Sequence, residues 1–155
     1  MNTVTDQDRT AVTDLYERDF YAWLMHNAAL IRQGRLAEID AGNVAEELES
    51  MGRSERRELI HRLEILLMHL LKWRYQPERR GRSWRNTIRI QRIDTRRLLA
   101  DNSSLRAQSP TLVAEAYEKA CLLAAGETEL PEDRFPSACP FTLQQALDDG
   151  FWPDG

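Results

Sequence analysis

Tyr16, Phe20, Trp23, Leu24, Ala28 and Ile31 recur at three- and four-residue steps, the spacing that lines one side of an α-helix. With Thr13 or Asp14 as its start and Gly34 where a C-terminal cap belongs, this pattern predicts a first helix ending near Gln33. A second begins at Asp40 or Asn43, with Asn43 and Glu46 at capping-box spacing. Val44, Leu48, Met51, Glu55, Leu59, Leu63, Leu66, Leu70 and Trp73 then hold one helical phase through Gly52. A glycine costs a helix interior only about 1 kcal/mol. One long element to Tyr75 is therefore predicted, bent near Gly52–Ser54, where Ser54, Glu55 and Glu58 also have the make-up of a fresh N-terminus. Pro77 ends it.

Ser83 predicts the cap of a third helix, Trp84 to about Asp101. Ser109-Pro110 opens a fourth, whose Leu112, Val113, Ala116, Tyr117, Ala120 and Leu123 lead to Ala125, before Gly126. Residues 127–155 hold most of the prolines and predict an extended tail wrapped on the bundle. Its one short helix runs from Thr142 to Leu147, and Phe135, Phe141, Phe151 and Trp152 are its anchors. No strand pattern and no internal repeat is present. The expected fold is a single all-α domain over residues 1–155, a bundle of about four main helices.

Composition narrows the class. At 42% hydrophobic and 30% charged, the 155 residues match a globular protein and not a disordered chain. No uncharged apolar run approaches the roughly 18 residues that a membrane span needs. The polar, acidic start "MNTVTDQDRTAVTD" is unlike a secretory signal or a transit peptide. Cys121 and Cys139 form no C-x-x-C pair and are expected as free thiols in a cytoplasmic protein.

Charge changes the picture more. Residues 1–52 carry four arginines against ten acids, and residues 107–155 two basic residues against nine acids. Between them, residues 53–106 carry fifteen basic residues against six acids, all arginine except Lys72. The stretch "WRYQPERRGRSWRNTIRIQR" (73–92) alone has seven arginines and three aromatic residues. Arginine's planar fork suits bidentate pairing with carboxylate or phosphate.

Four segments, "DFYAWLMHNAALIRQGR", "AEELESMGRSERRELIHRL", "LLMHLLKWRYQPERRGRSWRNTIRIQR" and "CPFTLQQALDDGFWP", occur here in an order that resembles a bacterial family catalogued as domain of unknown function twenty-nine. The resemblance covers nearly the whole chain after its first dozen residues. It implies an all-helical protein of bacterial origin. It carries over no activity, cofactor or catalytic residue.

Function must therefore be read from the side chains. On a helix turning about 100° per residue, Arg85, Arg89, Arg92 and Arg96 fall within a sector of roughly 60°. Arg82 extends this stripe backwards, and Arg79 and Arg80 precede it. Trp84, Ile88, Leu98 and Leu99 lie on one side of it, Ile90 and Ile93 on the other. Charge flanked by apolar residues on both sides is expected to meet something. The internal candidates are Glu46, Glu47, Glu49 and the acids of the tail; the external ones are phosphate or an acidic protein. Nucleic acid is an alternative, with Trp73, Tyr75 and Trp84 as stacking surfaces, but the pI of 5.4 lacks the usual basic footprint.

His61 and His69, eight residues apart, do not have the i, i+4 spacing of a zincin helix. His61-x-x-Glu64 reverses the di-iron motif without repeating it. His69 among leucines reads as a core histidine, and His26 could approach either from the first helix. These three and nearby glutamates are the only candidate for an enzyme site. The expectation is a non-enzymatic cytoplasmic interaction or regulatory protein without metal or cofactor. Its partner is a protein, itself or another, and it has no membrane role. Its contact surface is Arg79, Arg80, Arg82, Arg85, Arg89, Arg92 and Arg96.

Overall fold

Asp19 divides the first predicted helix in two. Helix α1 covers Asp6–Arg18 and helix α2 covers Phe20–Arg32. Asp19 leaves helical geometry (φ −147°, ψ 86°), and its carboxylate accepts a hydrogen bond from the Ala22 amide at 3.0 Å. A capping aspartate offers the backbone an alternative to continuing the helix, and here that alternative is taken. This computed structural model describes residues Asp6–Asp154. The first five residues of the polar N-terminal stretch, Gly155, and the side chain of Thr13, expected as a cap, lie outside the described residues; the helical backbone already starts at Asp6.

Helix α3, Ala41–Tyr75, runs unbroken through Gly52, so Ser54, Glu55 and Glu58 start no new helix. The capping box expected from Asn43 to Glu46 is replaced by a bond from the Asn43 amide group to the Asp40 carboxylate. Helix α4 is Arg82–Asp101, α5 is Ser109–Thr128 and α6 is Leu143–Leu147, with four short 3-10 turns in the connections. Among the described residues there is no strand, and the fold is all-α.

Three helix ends differ from expectation for local reasons. Ser109 is itself helical (φ −50°, ψ −46°), its hydroxyl bonded back to the Arg106 carbonyl, so α5 starts on it. That helix continues past Gly126 to Thr128, where the Thr128 hydroxyl donates to the Ala124 carbonyl and Glu129 turns left-handed (φ 61°) to close it. Ser83 is also inside its helix: Gly81 is the α4 cap and Arg82 its first residue. Gly34 does end α2 with φ +71°, the left-handed conformation that glycine adopts without steric cost.

Backbone contacts group the chain into two compact units that divide between Arg53 and Ser54. The first is pinned by Trp23, Asn27 and Leu30, all buried on one side of α2. Tyr16 and Phe20 pack on the Trp23 ring at 4.7 and 5.8 Å. The Trp23 indole donates to Asp40 at 3.0 Å, and the Asp40 amide donates to the Asn27 side chain at 2.9 Å, fixing the turn into α3.

The second unit holds the larger core. Leu59, Leu63, Leu66, Leu67, Leu70 and Leu71 of α3 meet Ile88 and Leu99 of α4 and Leu112, Ala116 and Ala120 of α5. The tail lies on this core, as its aromatic residues predict. Phe135 meets Tyr75 edge-on at 5.3 Å, Phe141 meets Phe151 at 5.9 Å, and Trp152 tilts onto Trp73 at 4.7 Å. Thr142 and Gln145 form a complete capping box that starts α6.

Candidate functional site

The arginine stripe of α4 has two fates. Arg92 is fully buried, at 0% exposure. Its Nε donates to the Ala146 carbonyl at 2.7 Å, its Nη2 to the Phe151 carbonyl at 2.6 Å, and its guanidinium lies 5.1 Å from the Trp152 ring centre. One turn on, Arg96 donates to the Leu147 carbonyl at 2.6 Å and grips Asp149 with both Nη atoms at 3.0 and 3.2 Å. Ala146 and Leu147 end α6, so two cations sit on the carbonyls and negative dipole end that a short helix leaves uncapped. Burial pulls the Arg92 pKa below the ordinary guanidinium value, with Asp149 and Asp148 opposing the shift.

The internal partner of the stripe is therefore the tail, chiefly through backbone oxygen and with one carboxylate. Glu46 and Glu49 instead pair with Arg53, and Glu47 accepts from the Tyr16 hydroxyl. Arg92 cannot belong to a contact surface, because no part of it reaches solvent. Arg80 is also spoken for: it donates to the Trp73 carbonyl at 2.7 Å, approaches the Pro153 carbonyl at 3.4 Å and lies 5.3 Å from the Trp73 ring.

The other arginines remain available. Arg85 is exposed, and its guanidinium lies 5.7 Å from the Trp73 ring and 5.6 Å from that of Trp152. Arg79, Arg82, Arg89 and Arg97 are exposed and, among the described residues, make no ion pair or side-chain hydrogen bond. A cleft of 440 Å³ opens between Arg85, Arg89, Ile93, Asp149 and Trp152. Beyond it Ile90 and Ile93 are 54% and 41% exposed, so the second apolar flank of the stripe is open and not packed. Arg85 and Arg89 offer donor forks for a carboxylate or phosphate, and the indole and Ile93 offer apolar surface beside them. Among the described residues one carboxylate lines the cleft, Asp149, and Arg96 holds it.

Trp152 and Asp149 were not foreseen as site residues. The only sequence signal for them was the clustering of acids and aromatics in "DDGFWP".

The histidines make no comparable centre. His26 and His61 are exposed; His61 lies 3.6 Å from Glu64, which also pairs with Lys119 at 3.3 Å. His69 is half-buried and its Nδ1 bonds to the Ile65 carbonyl at 2.9 Å, one turn back. Among the described residues no three histidine, cysteine or acidic side chains converge as a metal site would require.

Burial lowers the His69 pKa. The unfolded chain then binds a proton at His69 more readily than the folded one, so stability is complete above the unfolded pKa of about 6.5 and falls as pH drops below it. Replacing His69 with Gln should flatten the decline in melting temperature between pH 7 and pH 5. An unchanged pH slope would remove His69 as its source.

Both cysteines are free, and burial pushes both thiols up from their ordinary range, the opposite of what a nucleophile needs. Lys72 is buried: it pairs with Glu127 and lies 4.6 Å from the Trp84 ring centre. No described helix is long and apolar enough to cross a membrane.

No curated protein and no solved structure is detectably similar to this chain. One family model does match, over residues 15–152, taking in the helices of the core, the arginine stripe and the tail that it holds. The chain thus belongs to the family described as Domain of unknown function DUF29.

Proposed function

We propose that this protein is a non-enzymatic binding module of the bacterial cytoplasm, which docks an acidic partner protein on the outward face of α4. One observation carries the reading: Arg82, Arg89 and Arg97, which have no ion-pair partner among the described residues, share a surface with the exposed Ile90 and Ile93. Apolar side chains set among arginines are what interface centres concentrate, since each guanidinium supplies both directed hydrogen bonds and stacking area. The cleft beside Trp152 adds a recessed place for one anchoring side chain. Free thiols at Cys121 and Cys139 suit a reducing compartment, and the bacterial origin follows the family resemblance.

Nucleic acid fits this surface less well. Phosphate backbones are met by continuous positive charge, whereas here two isoleucines and the Asp149 carboxylate interrupt it and the whole chain carries −4.

The test is capture from a native lysate, with and without nuclease treatment, on immobilised wild-type and Arg89→Ala protein in parallel. The variant should melt as wild type, since an exposed charge contributes under about 1 kcal/mol. Its partner should bind about tenfold more weakly, the effect of a contact worth 1–2 kcal/mol at an interface. Capture that disappears with nuclease assigns the face to nucleic acid, and equal capture by both proteins removes α4 from the contact.

A further inference from the structure

The first unit carries a surface that this function does not use. From Phe20 to Ile31, α2 contains no Asp, Glu, Lys or Arg. Its Trp23, Asn27 and Leu30 are buried. A second side is open: Phe20, Tyr21 (72%), Leu24, Met25 (55%) and Ile31 are all exposed large apolar side chains. With Ala28 they fall within a helical sector of roughly 140°. A continuous open apolar patch of this kind marks an association surface.

We infer that this open face of α2 is a self-association surface, on which a second copy packs its own α2 in antiparallel orientation. The face bears no charge, so laying it on itself opposes no like charges. Its ends are complementary. Glu17 and Asp19 lie where α1 gives way to α2, beside Asp14 that Arg18 already pairs at 3.4 Å, so that this end stays net acidic, and Arg32 and Arg35 lie at the opposite end. Reversing the helix about its midpoint sets Tyr21 against Ile31 and Leu24 against the small Ala28. It also carries Arg32, which has no ion-pair partner among the described residues, to the acidic end of the other copy. The two helix dipoles oppose each other, and the contact closes as a two-fold dimer. A parallel pairing would set acid against acid, and an acidic or basic foreign partner would find nothing charged to meet along the face.

Sedimentation of the full chain from about 1 to 100 µM, the range in which a micromolar dimer forms and dissociates, should show a monomer–dimer equilibrium. Met25→Asp, which sets a carboxylate near its own symmetry mate, and separately Tyr21→Asp, which buries one against the apolar Ile31 of the other copy, should each raise the dimer dissociation constant about a hundredfold or more. Both positions are exposed, so circular dichroism should show unchanged helix content and melting. Arg32→Glu should weaken the dimer about tenfold, and adding Glu17→Arg to that chain should restore it.

A chain that stays monomeric throughout overturns the inference, as does a dimer indifferent to both aspartates. Failure of the Glu17→Arg rescue overturns the antiparallel arrangement. Arg89→Ala should leave the dimer intact; a dimer lost with that substitution would place self-association on α4 and overturn the α2 surface.

Discussion

A chain ended after Ala138 should lose cooperative folding of the unit that begins at Ser54. The cut removes Phe141, Ala146 and Leu147 from the core and takes half-buried Phe151 and Trp152 off the faces they cover. Burying one large apolar side chain contributes about 1.5–3 kcal/mol, so the lost contacts amount to something on the order of 5–10 kcal/mol. Arg92 loses both of its carbonyl acceptors and the Trp152 ring in the same step. Domain stability totals roughly 5–15 kcal/mol. Urea titration followed by circular dichroism should therefore give a broad, sloping curve with reduced helix content in place of a sigmoid. A shortened chain with the wild-type transition would mean that the tail decorates the helices and does not complete their core.

Arg92→Ala should cost about 3–5 kcal/mol, from two buried acceptors left unmatched at about 1–3 kcal/mol each together with the cavity left behind. The substitution leaves the Ala146 and Phe151 carbonyls without their donor and a void under Trp152. Arg92→Lys should recover only part of the loss, because one ammonium on a flexible stem cannot reproduce two fixed bonds from a planar fork. Arg92→Met fills the volume but still leaves two acceptors unmatched, each costing about 1–3 kcal/mol. The loss should change little between low and moderate salt, since buried interactions are weakly screened. Midpoints from urea unfolding decide the matter: coincident curves for wild type and Arg92→Ala would show that the tail is held by its aromatic residues alone.

These two results bear on the same division of labour. Arg92 and Arg96 hold the tail, and the tail in turn brings Trp152 and Asp149 beside Arg85 and Arg89. The cleft on α4 thus exists only when the clamp is closed. Variants of Arg92 should affect partner capture through folding, whereas Arg89→Ala should affect it without folding.

Much of the helical frame was legible in the chain itself. The unbroken α3, the Gly34 end of α2 and the short helix that ends at Leu147 rest on contacts between residues at most a turn or two apart. The break at Asp19 was not read, because Tyr16, Phe20 and Trp23 keep one apolar phase on both sides of it while a single carboxylate–amide bond ends one helix and starts the next. The α4 stripe could likewise be drawn from residue spacing, together with the expectation that charge bordered by apolar side chains meets a partner. Which partner it meets could not be drawn. Arg92 and Arg96 bind carbonyl oxygens more than fifty residues away, and every residue has a carbonyl. What singles out Ala146, Leu147 and Phe151 is that α6 stops there and the tail lies against α4, leaving oxygens with no other donor. Local periodicity determines which side chains share a helix face; only closure of the chain on itself decides which polar groups are left for that face to satisfy.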